Sequence, residues 1–106
     1  MIKGVKKHLL SKKTVVDILE AEIPYIMREY QVKKIGVFGS YAREEQTERS
    51  DIDLLVEFSK PISFFSLFEL EDYLKDKLGV RVEIVTPGAL KEILIPIVMK
   101  EVIYVK

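Results

Sequence analysis

The sequence predicts an α/β (α+β) fold: a small mixed β-sheet flanked by helices, folded as one domain. Three observations predict it. Short β-branched runs, "KKIGVFG", "DIDLLVEF" and "VRVEIV", alternate with segments of helical spacing. The chain has 106 residues, the length of a single domain. Its 48% hydrophobic residues supply one core and no second lobe.

The elements follow in order. Residues 1–13 hold five lysines and form a basic N-terminal tail; residues 14–106 form the domain. The tail is read either as a solvated, partly ordered terminus or as a basic arm that touches an acidic partner or RNA. Thr14 is the expected N-cap of a first helix, because "TVVDILEAEI" places apolar residues at 15, 16, 18, 19 and 23. Pro24 should break or kink that helix, and "YIMREY" resumes it. "KKIGVFG" is the first strand and "DIDLLVEF" the second. "SFFSLFELEDYLKDKLG" has helical spacing and ends on Gly79, a natural helix stop. "VRVEIV" is the third strand. "TPGALKEILIPIVMKE" offers a turn and short helices interrupted by Pro96, and "VIYV" closes as a short strand. The aromatic residues of the 64–68 stretch are expected in the core.

Composition excludes several functions. Seventeen basic and 17 acidic residues cancel, so no strong DNA binding is expected, although a local basic patch is not ruled out by the balance. There is no cysteine, which removes disulfides and thiolate metal sites. No apolar run approaches the roughly 18 residues of a membrane span. The basic start has apolar pieces too short for a signal peptide, and the expected location is cytoplasmic.

The chemistry concentrates in "GSYAREEQTERSDID". Side chains alternate along a strand, so Asp51 and Asp53 point the same way, while Ile52 and Leu54 point to the core. Two like charges so placed repel. Mg²⁺ reverses the sign of that interaction, because hard cations prefer carboxylate oxygens. Gly39 lets the backbone approach a ligand closely, and Ser40 offers a hydroxyl and an N–H. Taken alone, Asp-x-Asp reads more readily as exposed acids. Joined to a Gly-Ser corner, with ten residues between Ser40 and Asp51, it reads as a metal-assisted phosphoryl-transfer site. Glu57 shares the parity of the two aspartates but lies about 13 Å along the strand; it is read as a solvated or salt-bridged acid.

"GVFGSYAREEQTERSDIDLLVEF" resembles the nucleotidyltransferase superfamily that includes DNA polymerase beta. Within it the match is to the minimal nucleotidyltransferases, the antitoxin partners of HEPN-domain toxins. "KPISFFSLFELEDYLKDKLGVRVEIVTPGALK" and "PIVMKEVIYV" extend the resemblance from about residue 14 to the end. It implies the nucleotidyltransferase fold, ATP as substrate and three acidic metal ligands. Asp51 and Asp53 match the first two, and Glu83 stands where the family usually has Asp. Arg43 and Ser50 match the family pattern, so the nucleotide-binding set is Gly39, Ser40, Arg43 and Ser50. Arg43 is read as reaching a phosphate or as clamping the acids of the "DID" loop; Ser50 orients the start of the strand. Glu44 stands where the family usually has Gly, and a positive φ there would cost roughly 1 kcal/mol.

The resemblance implies an Mg²⁺-dependent transfer of AMP from ATP to a hydroxyl, a tyrosine of a HEPN toxin. The competing reading is a binding module that neutralises a toxin by occlusion, favoured by Glu83 and Glu44. A phosphohydrolase would use the same acids but has no water-activating residue, since the one histidine, His8, sits in the tail.

Overall fold

The computed structural model describes residues 9–106. Most of the basic tail expected at residues 1–13, His8 included, lies outside them.

Helix α1 spans Lys12–Tyr30. It begins earlier than the sequence suggests, because Ser11 takes the cap: its hydroxyl accepts the Thr14 N–H at 3.0 Å. Thr14 is the capped residue, not the cap. Pro24 sits inside the helix without ending it. It is exposed, as is Glu20 one turn earlier, so water can serve the carbonyl that the missing N–H leaves unpaired.

Strands β1 (Val32–Phe38) and β2 (Ile52–Phe58) pair antiparallel. Helix α3 (Phe64–Leu78) crosses over to β3 (Val82–Val85), which lies parallel to β2. A four-residue helix, α2 (Ser40–Arg43), fills the turn after β1. Two short 3-10 turns, Pro87–Ala89 and Glu92–Leu94, lead into α4 (Ile95–Glu101) and then β4 (Ile103–Tyr104), antiparallel to β1. The sheet order is β3-β2-β1-β4. Pro96 opens α4 rather than interrupting a helix, because proline at the first turn loses no intrahelical bond.

One apolar cluster holds the layers together. Val15, Leu19 and Ile26 of α1 and Leu70, Leu74 and Leu78 of α3 pack with Ile35, Val37, Ile52, Leu54, Val56 and Ile84 of the sheet. A bulge between Val32 and Lys34 lets Val32 and Ile35, three residues apart, both reach this cluster. Among the described residues no polar or charged side chain is buried. The aromatics expected in the core are not there: Phe64, Phe65 and Phe68 are 78%, 71% and 59% exposed. The buried stripe of α3 is its leucines, four residues apart, and the phenylalanines of its first turns fall outside that stripe.

β3 is an outer strand of the sheet. Its Ile84 N–H donates to Glu71 Oε2 of α3 at 3.0 Å.

Candidate active site

β1 ends at Phe38 and β2 begins at Ile52, so the hairpin brings the corner after β1 to the start of β2. Phe38 faces Asp53 across the pair. Gly39 follows with φ +77° and ψ −154°. A Cβ at that position would lie 2.2 Å from Asp53 Oδ2. The corner therefore requires glycine twice, for its conformation and for its contact with a site acid.

Ser40 opens α2, and its carbonyl accepts the Glu45 N–H at 2.9 Å. Tyr41 and Ala42 are buried and pin the turn to the core. Glu44 ends α2 at φ +60°. The family's usual glycine would suit this conformation better, and the strain anticipated from the sequence is present. Glu44 also forms an exposed ion pair with Lys12 at 3.3 Å.

Ser50 orients the approach to β2. Its hydroxyl accepts the Thr47 N–H at 2.9 Å, closing the turn that delivers Asp51. Asp51 stands just outside β2, and its carboxylate leans toward Arg81, 4.0 Å away. Asp53 and Glu83 are direct cross-strand partners on β2 and β3. Asp53 is half-buried and Glu83 exposed. Burial, the charge and hydrogen bond of Glu83, and the charge of Asp51 together push the Asp53 pKa up to about 6, with Arg43 offsetting part of this.

The structure thus joins Asp53 to Glu83 and to Gly39, and leaves Asp51 to one side. Among the described residues no three acids gather into a group that could hold a metal ion. The donor set nevertheless suits a hard divalent cation in kind: every candidate ligand is a carboxylate oxygen, and Asp53, its pKa raised first by burial and then by the charges of Glu83 and Asp51, is an anion that a cation would stabilise.

Arg43 does not clamp the two aspartates. Its Nε donates to Glu45 Oε1 at 3.0 Å, and its Nη1 donates to both carboxylate oxygens of Glu101, at 3.0 and 3.2 Å. Glu101 also accepts the Gly39 N–H at 2.7 Å. The sequence reading missed Glu101. The signal was its position just before the closing strand, but its meaning required the register of β4 on β1. Glu57 faces Lys34 across the hairpin, away from the acids, as its spacing suggested.

The mixed sheet, with a Gly-Ser corner packed against the acids of its first hairpin, defines the nucleotidyltransferase class of fold. Residues 7–105 match the nucleotidyltransferase domain family, and the chain belongs to that family. The protein adenylyltransferase MntA of Thermococcus cleftensis is 40% identical over 97 residues, covering 92% of this chain and 98% of that one. A solved structure assigned to the minimal nucleotidyltransferases matches with a TM-score of 0.75 at 31% identity, covering 92% of this chain and 98% of the other. A toxin–antitoxin crystal structure with AMP-PNP matches with a TM-score of 0.65 at 25% identity, over 80% of this chain and 70% of the other. Among the described residues no helix is long and apolar enough to cross a membrane.

Proposed function

We propose that this nucleotidyltransferase transfers AMP from ATP to a tyrosine hydroxyl of a HEPN-domain toxin and acts as its antitoxin in the cytoplasm. The observation that carries the reading is the contact between Gly39 and Asp53, which sets the phosphate-binding corner directly against the acids. Similarity to an MntA adenylyltransferase over nearly the whole chain supports the reaction. Likeness to a toxin–antitoxin structure with an ATP analogue supports the nucleotide and the partner class.

In this reading Gly39 and Ser40 hold the triphosphate, Arg43 contacts a phosphate oxygen, and Ser50 keeps Asp51 in place. Asp53 and Glu83, joined by Asp51 once its carboxylate turns from Arg81, would hold Mg²⁺, which supplies positive charge against the phosphates. The acceptor hydroxyl attacks the α-phosphorus, the bond to pyrophosphate breaks, and Glu83 takes the hydroxyl proton.

The test is incubation of the protein with ATP, Mg²⁺ and a HEPN-domain toxin, read by mass spectrometry. Adenylylated tyrosine is the expected product. Glu83→Gln should remove it, and Glu83→Asp should retain it. An unmodified partner that is nonetheless neutralised would replace transfer with occlusion.

A further inference from the structure

The C-terminal strand sets up a contact that the reaction as described does not use. Gly36 faces Tyr104 and Val37 faces Ile103 on the β1–β4 pair. Two residues past Val37, just beyond the end of β1, is Gly39, and two residues before Ile103, at the end of α4, is Glu101. Continuing the ladder therefore puts Glu101 beside the Gly-Ser corner, at the last turn of α4. Its side chain is only 16% exposed.

There the carboxylate serves two site elements at once. One oxygen takes the Gly39 N–H at 2.7 Å, the donor of a residue with positive φ at which any Cβ would run into Asp53. Both oxygens take Nη1 of Arg43. With Nε held by Glu45, two of the three guanidinium nitrogens are held. Among the described residues its Nη2 amino group makes no hydrogen bond, so one end of the fork stays available. Without Glu101, only the exposed pair with Glu45 would hold Arg43 away from the site acids, whose charge it would partly cancel.

We propose that Glu101 is a positioning residue: it anchors the Gly39 corner and holds Arg43 off the acids, with the free end of its guanidinium presented to the nucleotide's phosphates. The role rests on the nucleotidyltransferase reading above. Glutamate suits it because a carboxylate can accept from a backbone N–H and a guanidinium together. The opposite role, a carboxylate that competes with phosphate for Arg43, predicts the reverse effect on affinity.

The experiment is a double-mutant cycle on Mg–ATP affinity by titration calorimetry, with wild type, Glu101→Gln, Arg43→Ala and the double variant, each checked by thermal unfolding. Glu101→Gln keeps the size and one acceptor oxygen and removes the charge that orients Arg43. It should weaken Mg–ATP binding about tenfold while the unfolding midpoint moves by only a few degrees. The double variant should bind no worse than Arg43→Ala alone, because both changes remove the same contact. Unchanged or tighter binding by Glu101→Gln would overturn the proposal, as would losses that multiply in the double variant. Wild-type protein that fails to bind Mg–ATP at all would bring down the nucleotide reading itself; a defect confined to the Glu101 comparison would leave that reading standing.

Discussion

Gly39 and Gly79 share a positive φ, +77° and +73°, but part at ψ, −154° against 12°, and they serve different purposes. Gly79 stops α3, and nothing lies within 4 Å of where its Cβ would be. Gly39 turns the chain out of β1, and its Cβ would collide with Asp53. One glycine is required by the fold alone. The other is required by the fold and by a charged neighbour that the fold has no use for. A positive φ shared by two glycines therefore says little; the rest of the backbone and what each would touch separate a folding residue from a site residue.

The largest effect should come from Gly39→Ala. Positive φ costs roughly 1 kcal/mol, and the clash with Asp53 must turn that carboxylate aside. The variant should lose about 2–3 kcal/mol of stability by chemical denaturation and show no Mg–ATP binding by calorimetry. Adding Asp53→Ala should recover the part of the stability due to the clash, and no binding. Recovery of nothing would mean that conformation alone demands the glycine, as at Gly79.

Asp53 comes next. Its pKa of about 6 lies above the ordinary carboxylate value, so the folded state holds this proton more tightly than the unfolded chain. The stabilising effect of that proton is complete below about pH 4 and is lost as pH rises through 6. Asp53→Asn should equal wild type in stability near pH 4 and exceed it at pH 7. After allowance for solvent screening of a half-exposed group, the gain is roughly 1–2 kcal/mol. Denaturation curves at the two pH values measure it, and a constant difference between the proteins would count against a raised Asp53 pKa.

Gly79→Ala should cost about 1 kcal/mol with Mg–ATP affinity unchanged, which isolates the purely conformational term. The smallest effect is Glu44→Gly. It relieves a positive φ of 60° but gives up the exposed pair with Lys12. A net gain of about 0.5 kcal/mol is expected, measured by thermal unfolding.

The order of the elements and the mixed sheet were legible because they rest on local periodicity and punctuation. β2 and the Gly79 stop are cases in point. The boundaries that slipped were contests between near-equal signals: Ser11 outcompeted Thr14 as a cap, and Pro96 found a first turn where it does no harm. The exposed phenylalanines of α3 were misread because apolar spacing marks a helix without saying which of two adjacent stripes is buried. Gly39, Ser40, Asp51 and Asp53 could be singled out because they lie in one hairpin. That Asp51 would lean on Arg81 could not, since Arg81 arrives from β3. Glu101 was invisible for the same reason: it is 62 residues from Gly39, and only strand pairing joins them.

Glu71 has a consequence for crowded solution. An outer strand normally offers its amides to any passing chain, and sheets grow into aggregates by that route. Here the Ile84 amide is already taken by Glu71. A newcomer docking along β3 would have to evict a charged side chain before gaining its first backbone bond. The helix that covers the core thus also discourages the sheet from recruiting a neighbour at that border.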